Sequence, residues 1–384
     1  MEHLRLSADQ RLLVDGVKAF VQAELVPHEE LVERLDEIPE EIRVTIRQKS
    51  MAAGYHACNI PAAFGGGGLS AADLVLVEKE LGWSNLALAE CVHRPHAIIC
   101  AAKGEQIDRY LKPVVEGKKR ECIAMTEPDA GSDVRSMKTK AERIADGWRI
   151  NGTKHFISNA GVSDFVLLFA VTGRETDSRG RISCFLVDLT HPGVSVEKGY
   201  HCVSHRGYMN NILHFTDCVV PGWSLLGEEG DGFDLINSWL GVTRLTLAAT
   251  CVARAERAFD VALQWAASRK QFGQSIGRFQ GVSFKLSDMA TEIRLANLLL
   301  MDSAARIDEG TFSASDAAMA KLYTSEMLGR VADESIQILG GMGLMSEMPL
   351  ERIWRDARIE RIWDGTNEIQ RHIISRSMLR DLGS

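Results

Sequence analysis

Asp364 is the residue whose chemical type and position most directly suggest catalysis. It lies in the segment RIWDGTNEIQR, residues 361–371, between two stretches of helix-like sequence. Asp-Gly is a common turn dipeptide, so Asp364 and Gly365 could do no more than let the chain reverse direction. The alternative is that Asp364 is the one carboxylate that performs chemistry in this protein.

Two other patterns could bind a ligand, and both favour a simpler interpretation. Four glycines in PAAFGGGGLS, residues 61–70, suggest a phosphate-binding loop. No strand precedes them and no Lys-Ser/Thr follows, so the segment is predicted to be a flexible loop. Cys91, His93 and His96 could form a metal-ligand cluster, but no second group of ligand-spaced residues accompanies them. We therefore expect surface or pocket-lining roles for these three residues and no metal site.

The composition is that of a globular protein with two or three domains. The chain has 384 residues, of which 45% are hydrophobic and 25% are charged. Its net charge of −8 argues against a nucleic-acid or anionic-membrane binder, because both need concentrated positive charge. Eight cysteines without a C-x-x-C pair predict free thiols. Because no secretory signal or long apolar run is found, we expect a soluble, cytoplasmic protein without membrane insertion.

The hydrophobic periodicity divides the chain into three regions. Residues 1–120 are predicted to form a helical domain, with Ser7 and Ser70 as helix N-caps. Residues 121–230 alternate between apolar and polar side chains, and an Ala-Asp-Gly turn predicts a hairpin within an antiparallel β domain of seven or eight strands. Residues 231–384 contain four long helical stretches typical of a bundle. The fold class is therefore α+β, and the segregated helices and strands exclude a doubly wound nucleotide-binding fold.

Five motifs occur in order along the chain, and together they resemble those of one protein family. They are AMTEPDAGSD (124–133), KHFISN (154–159), RKQFGQSIGRFQ (269–280), QILGGMG (337–343) and RIWDGTNEIQR. In this order they closely resemble the acyl-CoA dehydrogenase flavoprotein family, over almost the whole chain. The resemblance implies an acyl-CoA substrate and an FAD bound between the β domain and the C-terminal bundle.

One wall of that FAD site is implied to come from the β domain. Thr126 would donate a hydrogen bond to the pyrimidine edge of the flavin, and Ser132 would lie between flavin and substrate. Phe156 stands where many members of the family have Trp, which keeps an aromatic wall but removes an indole N–H. Ser158 keeps a hydroxyl near the flavin N5. The other implied flavin contacts are Ile123, Met125, Gly131, Ile157, Thr366 and Glu368.

A second set of residues matches positions that contact the FAD of a neighbouring subunit. Arg269 suits a pyrophosphate because its guanidinium forms paired charged hydrogen bonds. Gly340 and Gly341 let the backbone approach the cofactor closely. The remaining members are Phe272, Phe279, Gln280 and Gln337. The resemblance therefore implies a homotetramer, a dimer of dimers, in which a monomer cannot bind FAD completely.

The resemblance also implies that Asp364 is the catalytic base. In the family, a carboxylate removes the α-proton of the acyl-CoA, a hydride passes from Cβ to flavin N5, and the electrons pass to electron-transfer flavoprotein. Most relatives have Glu at position 364, and some have their base at the position of Thr243, which cannot serve. Asp is one methylene shorter than Glu, and a misplacement of about 1 Å can cost on the order of 100-fold in rate. Thr243, Arg244 and Gly365 match residues near the substrate.

Two alternatives and the substrate remain open at this point. Nitroalkane oxidases share the fold, use Asp as the base and reoxidise with oxygen. A catalytically silent homologue with a structural role is the other alternative, although the intact FAD motifs argue against it. Ser84 stands at the position of the Arg that binds the distal carboxylate in glutaryl-CoA enzymes, which disfavours a dicarboxylyl substrate. Arg94, ten residues away, is expected to be solvated.

Overall fold

The computed structural model describes residues 6–173 and 182–380 of the chain. In these ranges a region of short helices is followed by a β-sheet and then by longer helices. The predicted α+β order is therefore confirmed.

The N-terminal helices begin at the predicted caps. The Ser7 hydroxyl accepts a hydrogen bond from the Gln10 N–H, and the Gln10 side chain accepts one from the Ser7 N–H, which forms a capping box. The Ser70 hydroxyl accepts from the Asp73 N–H at 3.1 Å. The glycine-rich segment before Ser70 is a loop, as predicted. The helices of this region are α1 (Ala8–Phe20), α2 (Glu29–Leu35), α3 (Glu40–Ala52), α4 (Ala71–Leu81), α5 (Leu86–Ala89) and α6 (Lys112–Val115).

An eight-stranded sheet forms the middle of the described chain. Its strands are β1 (Glu121–Ala124), β2 (Lys140–Ile144), β3 (Gly147–Ser158), β4 (Phe165–Thr172), β5 (Ile182–Asp188), β6 (Val194–Lys198), β7 (Asn210–Pro221) and β8 (Leu225–Leu226). Their order is β6-β7-β3-β2-β4-β5-β8, and β1 also pairs with β4. Lys140 pairs with Asn151 and Ile144 with Gly147, so the predicted hairpin between β2 and β3 is confirmed.

The sheet is mixed, and the prediction of a wholly antiparallel domain is wrong in this respect. β1 and β2 both pair with β4 in the parallel direction. Alternation of apolar residues shows which face of a strand is buried, but it carries no information on strand direction. Direction is imposed locally only where a tight hairpin joins two strands, and no such hairpin joins β1 or β2 to β4.

β4 is buried on both faces, which explains its continuous apolar sequence. Phe165 and Phe169 belong to a core shared with the N-terminal helices and the start of the first long helix. Val166 and Leu168 belong to a second core on the other face of the sheet. Strands covered on both faces are expected to be apolar throughout rather than alternating. One face of β4 therefore packs on the helical regions, and the other packs on residues of the β region itself.

The C-terminal region is a helical bundle with one helix more than predicted. Its helices are α7 (Gly232–Ser268), α8 (Gln280–Asp308), α9 (Ala314–Leu339), α10 (Leu350–Ala357) and α11 (Asn367–Arg380). A small hairpin of β9 (Lys270–Gln271) and β10 (Gln274–Ser275) joins α7 to α8. By length and composition α7 could cross a membrane, but 56% of its most apolar stretch is buried against the rest of the fold. That burial is typical of the core helix of a bundle.

Candidate active site

Asp364 lies in a sharp turn between α10 and α11. Asp364 has φ +52° and Gly365 has φ +87°, both in the left-handed region that aspartate tolerates and glycine favours. The Thr366 hydroxyl accepts a hydrogen bond from the Ile369 N–H at 3.3 Å and opens α11. The prediction of a turn followed by a helix start is therefore confirmed.

Side chains from three helices fix the backbone of this turn. Arg244 Nε of α7 donates to the Asp364 carbonyl at 3.1 Å. Lys321 Nζ of α9 donates to the Gly365 carbonyl at 3.0 Å. Gln370 Nε2 of α11 donates to both carbonyls, at 3.3 and 2.7 Å. Because these bonds end on carbonyl oxygens, the turn is held without engaging the carboxylate.

The Asp364 carboxylate is left free by this arrangement. Within residues 6–173 and 182–380 it accepts no hydrogen bond and forms no ion pair. Burial raises its pKa from 3.8 to about 6, and the nearby Glu360 carboxylate acts in the same direction. Lys321, Arg244 and His96 are close enough to lower the pKa in part. Asp364 is thus an ionised yet unusually basic carboxylate at neutral pH, as expected of a general base.

The neighbouring carboxylate of Glu360 has a structural role instead. It is fully buried and binds Arg254, His205 Nε2 at 3.0 Å and Trp363 Nε1 at 2.8 Å. Burial alone would raise its pKa, but the Arg254 guanidinium and His205 outweigh burial and hold it below the usual value. The Trp363 ring also stacks on His205, with centroids 5.0 Å apart. The orientation of Trp363, beside Asp364, is therefore fixed from both its edge and its face.

The end of β1 and the middle of β3 meet beside this turn. Lys154 Nζ, which is fully buried, donates to the Met125 carbonyl at 3.0 Å and to Glu127 Oε1 at 2.8 Å. The His155 N–H donates to the Thr126 carbonyl at 2.8 Å. Two of the sequence-predicted flavin segments, 123–132 and 156–158, are thereby joined into one wall.

Phe156 gives this wall an exposed aromatic face. A bulge between Lys154 and Ile157 turns Phe156 to φ +57°, and its side chain is 58% exposed. It packs on Tyr200 at 5.7 Å between ring centroids and is not a core residue. Ile157 is only 2% exposed and belongs to the core of the β region. An exposed aromatic ring next to the Thr126 and Ser158 hydroxyls fits a flat, polar-edged ring such as isoalloxazine.

Tyr208 connects the wall to the carboxylate, and no motif in the sequence points to it. Its hydroxyl contacts the Ser158 side chain and lies near Asp364, and burial raises the pKa of the phenol. Its ring meets Trp363 edge-on at 6.0 Å between centroids. Tyr208 therefore lies close to Asp364, Trp363 and Ser158 together. Lys321 was also missed, although a lone lysine on the apolar face of AAMAKLY is a detectable signal.

The second predicted set lies far from Asp364. Arg244 is within α7 and Arg269 follows its last residue, so the two are separated by about 37 Å at 1.5 Å per helical residue. Phe272, in the β9–β10 hairpin, is 93% exposed and has φ +49°. Gln280 starts α8 and Gln337 lies near the end of α9, and the Lys285–Glu334 pair joins these two helix ends. Phe279, Gly340 and Gly341 belong to the same end of the bundle.

The remaining predicted residues divide between exposed and half-buried positions. Ser132 and Gly131 are exposed at the end of the wall, whereas Ile123 and Thr243 are half-buried. Thr366 and Glu368 line a separate cavity of about 120 Å³ on the outer side of the turn.

Two predictions about the helical region have different outcomes. Arg94 is not solvated, because its Nε and Nη2 bind the two oxygens of Glu78 at 2.7 and 3.0 Å. Glu78 lies on α4, and the sequence does not show that α4 packs there. His93 and Cys91 line a cavity, which confirms the pocket-lining alternative for both. In the part of the chain that the structure describes, no group of three His, Cys, Asp or Glu side chains could hold a metal ion.

Comparisons with known proteins agree over the full length of the chain. Three models match it in succession: the N-terminal domain of acyl-CoA dehydrogenases at 7–118, the middle domain at 122–218 and the C-terminal domain at 230–379. Subunit CarC of the caffeyl-CoA reductase–Etf complex of Acetobacterium woodii is 33% identical over 381 residues, which covers 97% of this chain and 99% of CarC. 

Solved structures give the same result. Butyryl-CoA dehydrogenase from Megasphaera elsdenii superposes with a TM-score of 0.89 at 30% identity, covering 98% of this chain and 99% of that one. The FAD complex of PigA superposes with a TM-score of 0.91 at 28% identity, covering 98% of each chain.

Proposed function

Because this chain belongs to the acyl-CoA dehydrogenase family, we propose that Asp364 removes the α-proton of an acyl-CoA thioester to give the trans-2-enoyl-CoA. Family membership makes the chain an oxidoreductase, with FAD as its cofactor and flavin-dependent acyl-CoA dehydrogenation as its class of reaction. When bound, FAD supplies the acceptor, at N5, for the hydride that leaves Cβ.

The free carboxylate of Asp364 is the observation that carries this proposal. A base must keep its lone pairs unengaged, and Asp364 has no hydrogen-bond or ion-pair partner in the described ranges. Its pKa of about 6 keeps it ionised at neutral pH while making it a stronger base than a solvated aspartate. The proton from Cα passes to the carboxylate as the Cα–Cβ double bond forms.

The backbone of the same turn supports the activation of the thioester. In the described chain, the Asp364 N–H donates to no other group. An N–H fixed in place can stabilise the negative charge that develops on a thioester oxygen as the α-proton leaves. Arg244, Lys321 and Gln370 would act as positioning residues, because they hold the carbonyls of the turn and so set the direction of this N–H.

Around this base, Thr126, Ser132, Phe156 and Ser158 would hold the flavin ring, with Ile123, Met125, Gly131 and Ile157 completing the wall. Thr243 and Gly365 would contact the substrate. The division into domains at 1–120, 121–230 and 231–384 is part of the same proposal, as is a cytoplasmic location.

A second subunit would complete each FAD site. The separation of about 37 Å between Arg244 and Arg269 is too long for both ends of α7 to serve one active site. Arg269, Phe272, Gln280, Gln337 and the two glycines at 340 and 341 would therefore contact the FAD of another copy. The almost fully exposed Phe272 supports a covering partner. We infer a homotetramer, with electron-transfer flavoprotein as electron acceptor because the name of the related CarC includes Etf.

Anaerobic titration of the FAD-loaded protein tests the reaction. We expect acyl-CoA thioesters to bleach the flavin spectrum in the absence of oxygen. Aspartate in place of glutamate favours one other function, the oxidation of nitroalkanes, and bleaching by nitroalkanes alone would support it. A colourless protein that cannot be reconstituted with FAD would indicate a structural homologue without activity.

A further inference from the structure

A basic cavity lies between the N-terminal helices and the start of the sheet. It has a volume of about 170 Å³ and opens where α3, the segment around His93 and the chain just before β1 come together. Four cationic side chains line it, against one carboxylate, Glu40. The cations are Arg43, Arg47, Lys119 and Arg120. Such a concentration of positive charge is unexpected in a chain with a net charge of −8.

Two of these four cations have no counter-charge in the described ranges, whereas Arg120 pairs with Glu90 at 3.8 Å. Arg43 is paired with Glu40 at 3.1 Å. Arg47, only partly exposed, has no ion pair or hydrogen-bonded side chain in the described ranges. Lys119 lies over the Tyr110 ring at 5.1 Å, a contact that leaves its charge in place. Cations held in a sheltered space without a counter-charge destabilise a fold unless an anion accompanies them.

A buried histidine on the cavity wall also lacks one hydrogen-bond partner. His56 lines the cavity and is 9% exposed. Its Nε2 donates to the Val114 carbonyl at 3.0 Å, and burial lowers the pKa of the ring, so its buried Nδ1 is an acceptor without a partner among the described residues. A water, or the P–OH of a hydrogen phosphate, can donate to it, whereas a charged oxygen cannot. Buried polar atoms are nearly always satisfied by protein, water or ligand. The cavity is large enough for several waters of about 30 Å³ each, or for a small polar group.

We propose that this cavity binds a small oxyanion, a carboxylate or a phosphate group. Arg47 supplies a free planar guanidinium, the group that best matches both anions. Lys119, which has no ion pair in the described ranges, supplies further positive charge to the same cavity.

Buried side chains connect the wall of this cavity to His96, a neighbour of Asp364. His93 Nε2, on the cavity wall, lies 3.3 Å from Glu121 Oε2, and Glu121 Oε1 lies 2.9 Å from His96 Nδ1. His96 packs on Trp239 at 5.6 Å between centroids, one helical turn before Thr243. The oxyanion could therefore be the distal carboxylate of the acyl group or a separate small anion. The first source rests on the proposed function; the second does not.

Binding of inorganic phosphate tests the site without turnover. Calorimetric titration of the FAD-loaded protein is expected to show binding that Arg47→Gln weakens about tenfold, the usual effect of losing a charged hydrogen bond. Lys49→Gln is the matched control, because Lys49 is on the same helix but pairs with Glu24 at the surface. It should leave phosphate affinity unchanged, and thermal unfolding should show that both variants are folded.

Flavin reduction by hexanoyl-CoA and adipyl-CoA then distinguishes the sources. These thioesters have the same chain length, and only adipyl-CoA carries a distal carboxylate. A preference for adipyl-CoA that Arg47→Gln removes supports the acyl carboxylate. Phosphate binding that depends on Arg47 and persists with saturating hexanoyl-CoA supports a separate anion. If neither phosphate affinity nor thioester preference depends on Arg47, the cavity is not an anion site, even if dehydrogenation itself is observed.

Discussion

Asp364→Asn should abolish flavin reduction and at the same time stabilise the fold. The substitution keeps the size of the side chain and removes its negative charge and its basicity. Since the carboxylate has no partner in the described chain, the variant loses no hydrogen bond or ion pair. The side chain chosen for chemistry is thus expected to cost stability, as strained or desolvated active-site groups commonly do.

The size of the stabilisation follows from the pKa of Asp364. Burial raises this pKa from 3.8 to about 6, and about two units correspond to roughly 3 kcal/mol. The folded state holds the proton more tightly than the unfolded state. The penalty is therefore absent below pH ~4, grows as the pH rises from 3.8 to 6 and is complete above 6. Asparagine avoids it, so the free energy of unfolding of Asp364→Asn should exceed that of the parent by up to ~3 kcal/mol at pH 8 and by much less at pH 4.

Two measurements check this prediction. Urea unfolding of the FAD-loaded proteins at pH 5 and pH 8 gives the stability difference, and anaerobic stopped-flow reduction by an acyl-CoA gives the rate. In the parent protein the rate should rise with pH through about 6 and then level off, because only the ionised carboxylate accepts a proton.

Asp288→Asn is the matched control, since Asp288 is an exposed carboxylate on α8 without an ion pair in the described ranges. It should change neither the pH profile nor the pH dependence of unfolding. Near-full flavin reduction by Asp364→Asn would refute the assignment of the base. A stability difference that is the same at pH 5 and pH 8 would refute the origin given for the raised pKa.

Three further substitutions test the positioning of the turn, the flavin wall and the assembly. Lys321→Met removes the hydrogen bonds that Lys321 donates to the Gly365 carbonyl and to Asn367 Oδ1. We therefore expect flavin reduction to slow about tenfold with FAD still bound. An unchanged rate would contradict the positioning role of Lys321. Phe156→Ser should weaken FAD binding about tenfold, measured by the fluorescence of FAD released on dilution. Equal release of FAD from the parent protein and from the variant would show that Phe156 does not contact the flavin. Phe272→Ser should lower the molar mass in light scattering, whereas Leu12→Ser, at another exposed apolar position, should not. If neither variant has a lower molar mass than the parent protein, Phe272 does not contribute to the interface between subunits.

Features set by short stretches of sequence were predictable, whereas features set by distant contacts were not. The cap at Ser7 and the turn at Asp364 depend on residues within three or four positions, and both are confirmed. The direction of β1 beside β4 and the burial of Arg94 against Glu78 depend on packing between segments far apart in the chain. No local pattern encodes either.

The candidate site divides in the same way. The five motifs pointed to Asp364 and to the two segments that we propose for the flavin, and the fold joins these two segments by hydrogen bonds. Lys154 and Lys321 hold these segments in place. Their partners are carbonyl oxygens distant in the chain, and no local sequence pattern indicates them. Tyr208 belongs to this class, because it comes close to Ser158 only through the pairing of β7 with β3, in which Asn210 lies opposite Ser158.

The length of α7 has a consequence for inheritance. If one end of this helix serves a chain's own base and the other end serves the cofactor of a neighbour, a defect in Asp364 and a defect in Arg269 affect different halves of each site. Two inactive variants, one carrying each defect, would then restore some intact sites when co-expressed in mixed assemblies. Conversely, a single damaged allele would impair partners encoded by a normal one.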